Sequence, residues 1–454
     1  MSTRTKRHKA RTPRSVAAEV ITRVLYDHAF AGAVLQKHPQ LAQMSPQDRG
    51  FCVELVYGTL RWKEVLEDGI RAAARRPNQK IHKSIRSHLL VAVYQLQFLG
   101  DRVPKRAAIN EAVESVKQVR RELSGFTNGL LRNIKDPHYL SLTGQEDLSV
   151  LAQAFGIPLS LAEATSRGLP KSDWRAALMA LNGRPETGLT YLGLQSERHK
   201  FEERLQQKTI RYRLHDFVSN AYLLEKPGHI PELPFFAEGQ IQVQDPGSLL
   251  AAQLLNPATG DRVLDMCAAP GGKTMVLAKA VGTEGETIAS ELHEARAQKI
   301  RENAQRMKVQ VDIAVGDARK LLSDTQKPFD GILLDAPCSG LGTTRRKPEV
   351  KWKDTTQGEE NLTGIQRALL QSAAANLKAG GTLVYSVCSP MPSEGASIIE
   401  QFLDDHPDFQ REDPRSILPN LPSSALDQDN NIQLRTFQHE TDAFFMARLK
   451  KNDS

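Results

Sequence analysis

The chain has 454 residues, of which 40% are hydrophobic and 25% charged, with a formal net charge of +7. That is ordinary globular usage for about two to four domains, and it excludes both a disordered polymer and a small disulfide-stapled scaffold. Its four cysteines, Cys52, Cys267, Cys338 and Cys388, include no C-x-x-C pair, so neither a disulfide framework nor a zinc site is expected.

The first 14 residues carry six basic side chains (Arg4, Lys6, Arg7, Lys9, Arg11, Arg14) and no acid. They read as a basic disordered arm. No apolar h-region follows to make a signal peptide, and nothing reaches the roughly 18 consecutive apolar residues of a membrane span. The chain is therefore expected to be soluble and cytoplasmic, without a membrane partner. Charge is uneven: residues 1–150 hold 25 Lys and Arg against 14 Asp and Glu, and the remainder holds 35 against 39. A basic arm ahead of a basic domain suits a polyanion binder.

From 15 to 140 the pattern is helical. Val16, Val20 and Val24, with Ile21 and Leu25, recur at the three-to-four residue spacing of one helix face. Further helices are expected over 47–62, 81–99, 107–122 and 126–134, punctuated by Arg76-Pro77-Asn78 and Val103-Pro104. The stretch 141–234 mixes helical segments with turn signals and reads as a connecting region of mixed structure.

After Gly239 short apolar runs at 241–243, 262–266, 287–290, 311–315, 331–334 and 382–385 alternate with helical patterns at 273–280, 295–307, 362–377 and 393–403. Such alternation predicts βαβ units around a parallel sheet over 235–450. The last two runs, 432–437 and 443–449, lie too close together for a crossover helix and are expected to be antiparallel at the sheet edge.

Four features carry chemistry. In Asp265-Met266-Cys267-Ala268-Ala269-Pro270-Gly271-Gly272-Lys273-Thr274 an apolar strand ends and small residues lead into a helix, the usual ligand position of an open α/β sheet. Gly272-Lys273-Thr274 is no P-loop, because the glycine that motif needs five residues earlier is Cys267, and no G-x-G-x-x-G occurs. Glu291, 26 residues beyond Asp265, sits near the spacing at which an acid takes ribose hydroxyls, and Asp317 ends the following strand within reach of an adenine amino group. Finally, Asp335-Ala336-Pro337-Cys338-Ser339-Gly340 and Tyr385-Ser386-Val387-Cys388-Ser389 each place a cysteine just past a strand. A lone cysteine is most often a small buried hydrophobe, whereas two beside a nucleoside pocket suit a thiolate nucleophile.

Cys267 to Lys273, Asp335 to Gly340 and Tyr385 to Ser389 resemble the signature motifs of S-adenosylmethionine-dependent RNA cytosine-5 methyltransferases, and Gln244-Asp245-Pro246-Gly247-Ser248 resembles the motif that precedes them. Glu54-Leu55-Val56-Tyr57-Gly58 and Phe126-Thr127-Asn128-Gly129-Leu130-Leu131-Arg132 resemble the RNA-binding domain of the antitermination factor NusB. Together they match the RsmB/Sun family over essentially the whole chain. The resemblance implies a Rossmann-like class I methyltransferase domain with a mixed sheet and antiparallel edge strand, preceded by an all-α NusB-like domain. It also implies a monomer whose partner is small-subunit rRNA.

By the same resemblance Cys267, Ala268, Ala269, Pro270, Gly271, Gly272 and Lys273 line the S-adenosylmethionine site. Glu291 binds its ribose, Asp317 its adenine, and Asp335 closes the site and faces the cytosine. Cys388 is the nucleophile, and Cys338 the helper that removes the C5 proton or releases product. C5 of cytosine is a weak nucleophile, and adding a thiolate to C6 makes it enamine-like. Two departures stand out: Val387 precedes the nucleophile where the family commonly has Thr, and Glu291 stands where Asp is frequent. The same chemistry on tRNA or another rRNA is the nearest alternative. A non-catalytic RNA-binding assembly factor is an alternative of another class, against which the intact Cys338, Cys388 and Asp335 argue.

Overall fold

The computed structural model describes residues 12–76, 80–321, 327–352 and 356–453, without the side chains of 321 and 356–361. Most of the expected basic arm therefore lies outside the described residues. Its last two, Pro13 and Arg14, open the helix Pro13–Tyr26, whose first turn is capped by the Thr12 side chain accepting from the Ser15 N–H. The chain divides into two compact units, one running to Gly183 and including Thr344–Lys353, the other formed by Arg184–Thr343 and the chain from Asp354.

The first unit is helical. Pro13–Tyr26, Pro46–Arg61, Lys83–Phe98, Lys105–Val119 and Ser124–Arg132 correspond to the expected helices, and Val16, Val20, Ile21, Leu55, Leu89, Val93 and Leu131 fill their core. Gly58 lets two of them close, because a Cβ there would fall 2.0 Å from the Tyr94 ring. Helix Lys63–Ala73 is not among the helices expected from the sequence; it buries Val65, Leu66 and Ile70 together with the charged Glu67, an acid that interrupts the apolar pattern. Helices Leu148–Phe155, Leu159–Ser166 and Lys171–Leu181 also belong to this unit, so 141–183 is not a connector of mixed structure.

Thr344–Lys353 follows the second cysteine motif in sequence yet packs within the helical unit. The Arg61 guanidinium donates to the Arg345 carbonyl at 3.0 and 3.1 Å, and Glu349 accepts from the Ala31 N–H at 2.9 Å. Lys351 Nζ donates to the Arg61 carbonyl and to Asn182 Oδ1, both at 2.7 Å. Burial lowers the Lys351 pKa to about 7.

The second unit holds two sheets. Strands β1 (Thr187–Tyr191), β2 (Arg211–Leu214), β3 (Ala221–Glu225) and β4 (Ile241–Val243) form an antiparallel sheet in the order β2-β3-β1-β4. The expectation that 241–243 opens the parallel sheet is corrected here: Leu189 pairs with Val243, antiparallel, and the buried Gln242 carries a hydrogen bond to Gly272 at the larger sheet's first loop.

The larger sheet contains β5 (Arg262–Met266), β6 (Glu286–Glu291), β7 (Asp312–Val315), β8 (Phe329–Asp335), β9 (Leu377–Val387), β10 (Phe409–Arg411), β11 (Ile432–Leu434) and β12 (Phe444–Lys451). The order is β10-β12-β9-β8-β5-β6-β7, with β11 also on β12. Strands β5 to β9 are parallel, while β10, β11 and β9 all run antiparallel to β12. The expected final strand pair is present, with the first ending at Leu434 because Thr436–His439 turns helical. Leu264, Ile332 and Leu334 pack one face against Leu369, Leu370 and Ile398; Val263, Leu333 and Val384 pack the other against Leu249, Leu250 and Leu277. Strands apolar on both faces are what a parallel sheet between helices requires.

Strand order reverses between β5 and β8, and at such a switch point the loops leaving the two strands part and open a crevice. The loop after β5 is the glycine motif, and the loop after β8 carries Cys338.

Leu333→Ala, in the middle of β8, should cost about 3 kcal/mol. Leu292→Ala, at a site 57% exposed, should stay within about 0.5 kcal/mol. Urea unfolding of the two variants checks this, and equal midpoints would contradict the packing described.

Candidate active site

The glycine loop is held from two sides. Arg296 donates to the Ala269 carbonyl and Asn303 to the Pro270 carbonyl, each at 3.0 Å, both from helix Glu294–Met307. Gln242 Nε2 donates to the Gly272 carbonyl at 2.8 Å. Gly271 takes φ +99, left-handed backbone that favours glycine, and an added Cβ would press on Ile300 at 3.3 Å. Cys267 also has positive φ, and burial pushes its thiol up to about 12, reinforced by the nearby Asp335, Asp265 and Glu291 carboxylates. It therefore remains a neutral lining group.

Two acids end neighbouring strands. Asp265 is fully buried on β5; its Oδ2 accepts from Thr274 Oγ1 at 2.6 Å, while Oδ1 has no partner among the described residues. Burial raises its pKa to about 7. Glu291, at the end of β6, is 2% exposed; Oε1 accepts from the His293 N–H at 3.1 Å and lies 3.4 Å from Arg296, and Oε2 is buried without a partner among the described residues. Buried acceptors left open in this way suit a ligand with hydroxyl and amino donors. Asp317 is placed differently, since both its oxygens accept from the Arg319 guanidinium, which lowers its pKa.

Across the switch point, Lys273 Nζ donates to Asp335 Oδ2 at 2.7 Å. Burial alone would lower the lysine's pKa, but the Asp335 carboxylate outweighs it and raises the value. The acid expected to face a substrate base is thus one half of an ion pair whose proton sits on Lys273.

The two cysteine motifs meet because β8 and β9 are parallel neighbours in register, with Asp335 opposite Ser386. Cys338 and Cys388 Sγ lie 3.4 Å apart. Hydrogen bonding to Cys388, together with burial, raises the Cys338 pKa well above its usual value, and either sulfur can donate in the contact between them. Gly342 braces the pair: its N–H donates to the Cys388 carbonyl at 2.9 Å, its carbonyl accepts from Ala443 at 3.1 Å, and a Cβ would fall 2.0 Å from the Ala443 oxygen.

Three residues of this site were not singled out in the sequence. Asp265 shows in the sequence only as an acid near the end of an apolar strand before a glycine loop, which is the signal that points to it. Glu394, fully buried and bonded to Ser339, and Gln366, bonded to Pro337, lie in apolar-patterned helical stretches that give no cue. A cavity of about 700 Å³ occurs in the helical unit, lined by Gly69, Gln97, Lys135 and His138 among others; none of the residues above lines it, and the site is located by its chemistry.

Residues 252–450 match the sequence model of the family described as 16S rRNA methyltransferase RsmB/F, and residues 11–136 match that of the NusB family. The chain is 34% identical to "Probable ribosomal RNA small subunit methyltransferase B" of Synechocystis, over 96% of this chain and 98% of that protein. It is 31% identical to "Ribosomal RNA small subunit methyltransferase B" of Pectobacterium atrosepticum, over 97% and 98%. The crystal structure of PH0851 shares the fold, with a TM-score of 0.78 at 23% identity over 98% of this chain and all of its own.

The buried carboxyl of Asp265 yields a pH signature. Its proton is held to about pH 7 in the folded chain, whereas an unfolded aspartate with a value of 3.8 has already lost it, so stability falls as pH rises between the two values. Asp265→Asn should therefore gain stability relative to the parent chain between about pH 5 and pH 8. Urea midpoints at each pH measure this, and a difference independent of pH would contradict it.

Proposed function

The chain belongs to the family of ribosomal RNA small subunit methyltransferase B, and from that premise we propose that it methylates C5 of a cytosine in small-subunit rRNA through a covalent Cys388 adduct. The observation that carries this reading is the thiol pair, Cys338 and Cys388 at 3.4 Å, in the loops that leave β8 and β9 beside the Lys273–Asp335 ion pair.

S-adenosylmethionine, when bound, supplies an electrophilic methyl group. The loop Cys267 to Lys273 lines its site, with Gly271 admitting it closely. Glu291 Oε2 and Asp265 Oδ1, both open buried acceptors among the described residues, fit its hydroxyl and amino donors. Asp317 meets the adenine with whatever lone pairs Arg319 leaves. The product is S-adenosylhomocysteine.

On the RNA side, the Cys388 thiolate adds to C6 of the target cytosine, and the electron pair of the C5–C6 double bond makes C5 nucleophilic. Charge that develops over N3 and O2 is met by the Lys273–Asp335 pair, with the proton supplied from Lys273. Once Cys388 has become a thioether, the negative charge that held the proton on Cys338 is gone. Cys338 then ionises more readily, the behaviour of two sites that titrate as one. Having given its own proton to solvent, it takes the C5 proton, the C5–C6 double bond re-forms, the ring returns its proton to Lys273, and Cys388 leaves as thiolate. The target base must leave its stack to reach these groups, which favours loops or unfolded rRNA over duplex. The NusB-like unit, with its surplus of basic residues, holds the RNA. No single helix among the described residues is long and apolar enough to cross a membrane, and a cytoplasmic location, where rRNA is made, follows from the proposed substrate.

Cys388→Ala should abolish methyl transfer to rRNA, a loss of many orders of magnitude as for other covalent nucleophiles; retained activity overturns the nucleophile assignment. Cys338→Ala should trap protein on RNA as a slow-migrating band, and absence of the band removes its release role. Bisulfite mapping of RNA from cells lacking the protein should show one lost site in small-subunit rRNA. A lost tRNA site with rRNA unchanged refutes the substrate.

A further inference from the structure

The residues that flank Cys338 are tied to two buried neighbours, Ser339 to Glu394 and Pro337 to Gln366. Glu394, in the turn Pro392–Glu394 after the Cys388 loop, is fully buried. Its Oε1 accepts from the Ser339 N–H at 2.7 Å and its Oε2 from the Ser339 hydroxyl at 2.6 Å. Gln366 Nε2 donates to the Pro337 carbonyl at 2.9 Å and reaches Glu394 Oε1 at 3.5 Å. The Glu394 carbonyl accepts from the Tyr385 hydroxyl at 2.6 Å, which fastens the clamp to β9. Ser339 and Ser389, each following one of the cysteines, bring their hydroxyls to 3.2 Å.

Among the described residues no cation pairs with this carboxylate. A buried charge satisfied only by a hydroxyl, an amide and a backbone N–H is costly to maintain. Glutamine at this position would make a similar bond to the Ser339 N–H without the charge. The charge therefore has a use beyond holding the turn.

We infer that Glu394 is a positioning residue: its carboxylate fixes the Cys338 loop against the Cys388 loop and holds Cys338 as the neutral thiol until Cys388 has been consumed by the base. The inference rests on the thiol-pair reading above. In keeping with it, Glu394 is among the groups that raise the Cys338 pKa, after hydrogen bonding to Cys388 and burial.

The test compares Glu394→Gln, which keeps length and shape, with Ser339→Ala, which removes one donor, each in the full chain with rRNA and labelled S-adenosylmethionine. In both, kcat should fall roughly 10- to 100-fold, as for a misplaced catalytic group, while KM for RNA stays unchanged and covalent protein–RNA adduct accumulates. Alkylation of Cys338 by iodoacetamide, followed against pH in a Cys388→Ser background, should shift to lower pH in Glu394→Gln, a change that a merely structural role would not produce. Cys338→Ala run alongside separates the failures. If it traps no adduct, the release role of Cys338 falls and this inference with it. If it traps adduct while Glu394→Gln and Ser339→Ala turn over as the parent chain does, or the alkylation profile does not move, the inference alone is overturned.

Discussion

The site depends on one register: β8 and β9 are parallel, hydrogen-bonded neighbours with Asp335 opposite Ser386. Parallel neighbours deliver their next residues to the same edge about 4.8 Å apart, so two loops 50 residues apart in sequence leave the sheet side by side and their thiols come to 3.4 Å. A slip of one residue would turn Asp335 into the core and separate the sulfurs. Burial of both faces of β8 makes such a slip expensive, because Ile332 and Leu334 on one face and Leu333 on the other would all exchange sides.

Around that register the electrostatics are arranged rather than neutralised. Asp265, Glu291 and Asp335 lie at the ends of three adjacent strands, and Lys273 forms its ion pair with the last. The remaining acids keep open acceptors in a place with little water, a standing desolvation cost that a ligand with matching donors offsets. At the sulfurs, hydrogen bonding to Cys388 and burial keep the proton on Cys338. The order of events in the proposed reaction then follows from which sulfur holds the charge at each stage.

The parallel sheet was legible in the sequence because strands buried on both faces are short uninterrupted apolar runs, and 262–266, 331–334 and 382–385 are such runs. The site motifs were legible for a related reason: each sits where an apolar run stops and small or polar residues begin, which is where α/β sheets bind ligands. The antiparallel sheet of β1 to β4 was not legible, since its strands are three to five residues long and β2 alternates Arg211 and Arg213 with Tyr212 and Leu214. Nor could sequence show that Thr344–Lys353 packs inside the helical unit with Lys351 buried. Asp317 illustrates a further limit, because an acid two residues before an arginine has an intramolecular partner that spacing alone does not reveal. Glu394 was invisible for the opposite reason: its neighbours in space, Ser339 and Gln366, are far from it in sequence.

The central claim is a covalent bond between Cys388 and C6 of a cytosine, and its most direct measurement is trapping with rRNA that contains 5-fluorocytidine. Fluorine at C5 cannot be removed as a cation, so the reaction should stop after methyl transfer with protein still attached. Mass spectrometry of the digested complex should find the methylated fluorocytidine on the peptide that carries Cys388. Attachment at Cys338, or a complex with no covalent bond, would contradict the account.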